Sequence, residues 1–170
     1  MPLSTQRYME AFGPLLVVDD NDDDLNLTTT ILQKVGGVAH LLTFPGGEEV
    51  IAYLARGPHE PLPLGVVLDV KMPRQNGLDT LAWIRVRRQF DRLPIAMWSS
   101  SDDPRDVTRA AELGAQCYFG KYPPVPVVQG MLADMAAFHG NPAAPRVFPV
   151  RGNLLLGRSA LPDLRTPSAV

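Results

Sequence analysis

The sequence predicts an α/β protein: a doubly wound parallel sheet of five strands with helices on both faces. Three observations carry this. Short continuous apolar runs such as "LLVV" (15–18), "LGVVL" (64–68) and "IAMW" (95–98) recur along the chain, as strands buried on both faces require. Segments with apolar residues at helical spacing lie between them. Glycines and prolines separate the two kinds of segment, so that strand and helix alternate as in a parallel sheet.

Each element follows in order. Leu15 to Val18 is the first strand, and Leu25 to Val35 is a helix carrying Leu25, Ile31, Leu32 and Val35, ended by Gly36-Gly37. Val38 to Phe44 reads as the second strand and Glu48 to Ala55 as the second helix. The proline-rich loop "GPHEPLP" leads into the third strand, Leu64 to Leu68. A helix from Leu78 to about Arg88 carries Leu81, Ile84 and Val86. Pro94 opens the fourth strand, and Pro104 suits the first turn of a helix that ends at Gly114. Gln116 to Phe119 makes the fifth strand, and Val125 to Phe138 the last helix.

Doubly wound sheets place their working site at the carboxyl ends of the strands. Polar residues gather there. Strand one ends in Asp19-Asp20, strand three in Asp69 and strand four in Ser99, while Lys121 follows strand five. Two carboxylates ~4 Å apart repel by ~1 kcal/mol in water and by more in a drier cleft. A hard, oxygen-preferring cation such as Mg²⁺ relieves that repulsion. Asp69 could then act as a nucleophile toward a phosphoryl group, with Lys121 neutralising charge on it and Ser99 donating a hydrogen bond to it.

The stretch "DDNDDD" (19–24) crowds five aspartates into six positions. A calcium loop starting at Asp20 would need glycine at its sixth position and glutamate at its twelfth; Leu25 and Ile31 stand there. Asp22 to Asp24 are read instead as helix N-terminal acids, favoured by the helix dipole. That leaves Asp19 and Asp20 for the metal.

Four segments together resemble the receiver domain of two-component response regulators: "VVDDNDDDLN", "VVLDVKMPRQNGLD", "LPIAMWSS" and "GAQCYFGK". The resemblance covers roughly residues 14 to 138, and the spacings of 30 residues from Asp69 to Ser99 and 22 from Ser99 to Lys121 are in step with it. It implies a flavodoxin-like (βα)5 fold with strand order 2-1-3-4-5. By position, it makes Asp69 the phosphoacceptor, Asp20 a direct metal ligand and Asp19 an outer-shell acid. The Lys71 backbone carbonyl becomes a further ligand to Mg²⁺, alongside Asp69. Ser99 and Lys121 would bind the phosphoryl group, and Ser99 and Tyr118 would form the switch. Lys71 and Ser101 take the positions that flank the attacking water; Lys71 is read as a shield that slows hydrolysis.

One departure stands out. The family usually has Lys-Pro with a cis bond after strand five, whereas this chain has Lys121-Tyr122-Pro123. A cis bond before tyrosine costs ~3 kcal/mol against under ~1 before proline, so the sequence leaves this loop's geometry open.

The implied function is a stand-alone regulator that accepts a phosphoryl group from a sensor histidine kinase and signals by protein contact, without being an enzyme in its own right. The long loop before strand three and "LDVKMP" resemble regulators partnered with phytochrome-type kinases. Rival readings are a phosphorelay intermediate or phosphate sink, and a Mg²⁺-dependent phosphatase. A phosphatase would want a second acid two positions after Asp69, where Lys71 stands. A degenerate adaptor is argued against by the intact Asp69, Ser99 and Lys121.

Composition agrees. Of 170 residues, 45% are hydrophobic and 20% charged, enough for a core, and the net charge of −2 argues against a nucleic-acid footprint. Cys117, the single cysteine, excludes a disulfide framework and is read with Trp98 as core. His40, His59 and His139 lack metal spacing. No signal peptide or ~20-residue membrane span is evident, so a cytoplasmic protein is expected. Residues 1–13 form an N-terminal extension, 14–139 the receiver and 140–170 a tail with five prolines. That tail is read either as disordered or as packed through "RVFPVRGNLLLG", on its own domain or on a second copy in a homodimer.

Overall fold

In the computed structural model, which describes residues 11–35, 37–101 and 103–157, the chain alternates strand and helix through five units. The elements are β1 (Gly13–Val18), α1 (Asp22–Lys34), β2 (Leu41–Phe44), α2 (Gly47–Ala55), β3 (Pro63–Leu68), α3 (Gly77–Arg85), β4 (Ile95–Ser99), α4 (Pro104–Leu113), β5 (Cys117–Gly120) and α5 (Val125–Gly140). All strand pairs are parallel, in the order β2-β1-β3-β4-β5. The doubly wound prediction and its strand order are borne out.

Successive strand residues point to opposite faces, and the continuous apolar runs fill both. Leu16, Val18, Val66, Leu68, Ile95 and Met97 pack with Val50, Leu54, Leu81, Ile84 and Val107 of α2, α3 and α4. Leu15, Val17, Val67, Ala96 and Trp98 pack on the other face with Leu32 of α1 and Met131, Leu132 and Met135 of α5. Trp98 and Cys117 are core residues, as read; Trp98 donates its indole N–H to Met131 Sδ.

Three boundaries move for physical reasons. Helix α1 starts at Asp22, three residues before the apolar span that begins at Leu25 and with the acids Asp22 to Asp24 in its first turn as read, because Asn21 caps it by accepting the Asp24 N–H at 2.9 Å. Strand β2 starts at Leu41, not Val38, because the Val38 N–H goes to the Leu32 carbonyl at the end of α1. Helix α3 ends at Arg85, short of Arg88. Val86, expected on its apolar face, is 77% exposed, and Phe90 on the following 3₁₀ turn (Arg88–Phe90) takes the buried place.

The chain beyond α5 packs. Phe148 and Leu155 are buried, one in each core layer. Buried Asn153 bonds the outer edge of β5: its Oδ1 accepts the Tyr118 N–H at 3.0 Å and its Nδ2 donates to the Gln116 carbonyl at 3.1 Å. The Leu154 N–H then reaches the Tyr118 carbonyl at 3.0 Å. Of the expected N-terminal extension at 1–13, residues 1–10 lie outside the described residues, as does the end of the tail at 158–170, while Gly13 already belongs to β1. Among the described residues no helix is long and apolar enough to cross a membrane.

Candidate functional site

Strand order reverses between β1 and β3, which are neighbours, so their carboxyl ends lie side by side at the switch point. The Asp69 N–H donates to the Val18 carbonyl at 3.0 Å, tying the two ends together. Asp19, Asp20 and Asp69 thereby converge, with a carboxylate oxygen from each lying within 4.8 Å of the others. Asp19 and Asp69 are buried and Asp20 is exposed.

Close packing holds Asp69 in place. Gly77 at the start of α3 donates its N–H to the Val70 carbonyl at 2.9 Å. A Cβ at Gly77 would stand 1.9 Å from the Asp69 carbonyl oxygen. Only glycine lets the helix start this close to the acidic residue.

Lys121 enters from the loop after β5, across a cis Lys121–Tyr122 peptide bond. Its ammonium lies 2.7 Å from Asp19 Oδ2, 3.2 Å from Asp24 Oδ2 and 3.6 Å from Asp69 Oδ2. Bonds to Asp19 and Asp24 and the nearby Asp69 charge outweigh its burial and push its pKa up, so it stays charged. Burial pushes the Asp69 carboxyl up to about 6; Lys121 opposes that, Asp19 and Asp20 reinforce it, and the Val70 N–H on Oδ1 opposes it.

Ser99 is fully buried at the end of β4, and its Oγ accepts the Ser101 N–H at 3.1 Å. Tyr118 is also fully buried, its hydroxyl donating to the Ser101 carbonyl at 2.8 Å. The ring is therefore turned inward and linked to the loop after Ser99. Lys71 stands apart from the carboxylates: its ammonium pairs with Asp106 Oδ2 on α4 at 3.0 Å, with the side chain 63% exposed. The same oxygen accepts the Ser101 hydroxyl at 3.1 Å.

Two residues join the site that the sequence reading gave other roles. Asp24, read as a helix-start acid, bonds both Lys121 and the Tyr122 hydroxyl. Tyr122, noted only as a departure, has its hydroxyl pushed up to about 12 by burial and by its bond to Asp24. The position of Asp24 in the first turn of α1, one turn beyond Asp20, was the available signal.

Carboxylate oxygens from three side chains, one of them solvent-open, are a donor set that suits a hard divalent cation. The fold and this rim define a class: a flavodoxin-like α/β domain with an acidic, cation-ready pocket at its switch point. The chain belongs to the response regulator receiver domain family, whose model matches residues 15–127.

Response regulator Rcp1 of Synechocystis sp. is 30% identical over 111 residues, covering 63% of this chain and 75% of that protein. Stress response regulator protein 1 of Meyerozyma guilliermondii is 32% identical over 106 residues, 62% of this chain but only 47% of that protein. The solved bacteriophytochrome response regulator AtBRR superposes with a TM-score of 0.63 at 27% identity, over 75% of this chain and 94% of its own. Rcp1 has been solved in a Mn²⁺-bound form, similar at a TM-score of 0.58 and 26% identity over 70% of this chain and 91% of that one.

Proposed function

We propose that Asp69 accepts a phosphoryl group from a sensor histidine kinase, and that the phosphorylated chain signals by contact with a partner protein. The observation that carries this is the Asp69 carboxylate, buried at the switch point between two further aspartates and 3.6 Å from the Lys121 ammonium. In the transfer, an Asp69 carboxylate oxygen attacks phosphorus and the P–N bond of phosphohistidine breaks. The electron pair stays on the imidazole, which leaves carrying a proton, and an acyl phosphate forms.

Lys121 supplies positive charge to the phosphoryl oxygens and Ser99 donates its hydroxyl to one of them. Mg²⁺, held by Asp20 and Asp69 with the Lys71 carbonyl and with Asp19 in the outer shell, would neutralise charge on the carboxylates and the phosphoryl group. Tyr118 reads the state of Ser99 through the segment its hydroxyl bonds, Ser101. We assign this chemistry to residues 14–139. Likeness to the bacteriophytochrome response regulator AtBRR supports a kinase of the phytochrome type. The phosphatase reading loses support, since Lys71 holds the place of its second acid.

The test is incubation with Mg²⁺ and acetyl phosphate. One acid-stable, base-labile phosphoryl group should appear and Asp69→Asn should abolish it. Undiminished labelling of that variant would overturn the assignment.

A further inference from the structure

We infer that Asp24 sets the position of Lys121 and so restrains phosphoryl transfer to Asp69, and that Tyr122, clasped to the same carboxylate, moderates that restraint; this rests on the function proposed above. Asp24 is the third residue of α1, and its own N–H is held by Asn21 Oδ1 at 2.9 Å, so its carboxylate stays at the rim. Its two oxygens are divided. Oδ1 accepts the Tyr122 hydroxyl and Oδ2 accepts the Lys121 ammonium. The clasp thus joins the first turn of α1 to the loop after β5, elements 97 and 98 residues apart in the chain.

Lys121 is surrounded by three carboxylates, with only 7% of its side chain exposed, and of the three Asp69 is the most distant. A phosphoryl group on Asp69 needs that ammonium. A divalent cation would compete with Lys121 for Asp19, but Asp24 lies outside the three-carboxylate group and keeps its hold. Asp24 therefore acts as a positioning residue that draws Lys121 away from the acceptor.

Tyr122 moderates this hold. A phenol donating to Oδ1 takes up part of the carboxylate's accepting power and weakens what is left for Lys121. The two residues act in opposite directions, and Tyr122 acts only through Asp24.

The experiment is the phosphorylation rate with Mg²⁺ and acetyl phosphate in five full-length proteins, each first shown to unfold cooperatively. Against wild type, Asp24→Asn should react about fivefold faster and Tyr122→Phe about twofold slower, the sizes expected of a partly exposed charge contact. The double variant should match Asp24→Asn. Asp23→Asn removes the same charge from an exposed neighbour and should change the rate less than about twofold. A gain in rate cannot come from a damaged fold. Rates for Asp24→Asn at or below wild type, or an equal gain in Asp23→Asn, overturn the clasp. So does a further change on adding Tyr122→Phe to Asp24→Asn. A wild type that takes up no group on Asp69 overturns the function and the clasp together, whereas normal uptake with unchanged variants overturns the clasp alone.

Discussion

The side-chain oxygen of Asn153 accepts the backbone N–H of Tyr118 at 3.0 Å, across 35 residues of sequence. β5 is an edge strand, and an open edge exposes unpaired backbone groups. Asn153 closes it. Oδ1 also accepts the Leu155 N–H, and Nδ2 donates to the carbonyls of Gln116 and Phe148. Asn153→Ala removes these bonds from a buried place and should cost about 2–4 kcal/mol. Urea unfolding checks it, and a loss under ~0.5 kcal/mol contradicts it. Deleting residues 141–170 should likewise lower the melting temperature, since Phe148 and Leu155 leave the core with it.

Gly77 offers a sharper test of how Asp69 is held. A methyl group there meets backbone, the Asp69 carbonyl at 1.9 Å, and backbone cannot step aside as a flexible side chain can. Gly77→Ala should destabilise the protein by roughly 2–4 kcal/mol and slow phosphorylation beyond what the lost stability explains. A variant with normal stability and normal phosphorylation would show that the helix start can shift freely.

Asp69 should leave a mark on stability against pH in metal-free protein. Its folded pKa is raised to about 6 from 3.8, chiefly by burial, so the folded chain binds the proton more tightly than the unfolded one. Asp69 therefore costs stability above pH 6, and that cost is relieved as pH falls through 6 toward 3.8. Asp69→Asn should raise stability at pH 7 by on the order of 2 kcal/mol and flatten its contribution between pH 4 and pH 7. Denaturant titrations of both proteins with chelator, at several pH values, provide the comparison. Equal slopes would mean that Asp69 is not the group responsible.

Lys71 bears on how long a phosphoryl group would last. As a shield it has to leave Asp106, but an ion pair whose lysine is 63% exposed is worth under ~1 kcal/mol. A phosphoryl dianion can outbid that. Lys71→Asn should then shorten the lifetime of the phosphorylated protein, and Asp106→Asn, which releases the ammonium, should lengthen it. A lifetime lengthened or unchanged by Lys71→Asn, or shortened by Asp106→Asn, would remove Lys71 from the account.

Local patterning along the chain sets the alternation of elements and which residues end the strands. A strand buried on both faces must be continuously apolar, so Asp19, Asp69 and Ser99 mark the points where the apolar run gives way to the polar rim. The parallel order then brings those ends together. That logic is local along the chain, and it located Asp20 and Lys121 as well. The start of β2 was less legible, because a competing bond to the end of α1 takes Val38 out of the ladder.

Tertiary structure alone decided who meets whom across the chain. Arg85, one helical residue among many arginines, turns inward to the carbonyls of Phe90, Leu93 and Gly114 and to Gln116 Oε1. Asn153 finds β5, and Asp24 finds Lys121 and Tyr122. A polar side chain can bond any partner the fold brings within about 3 Å, and periodicity carries no information about that partner. Burial selects the pairing, because a polar group removed from water must be satisfied where it lies.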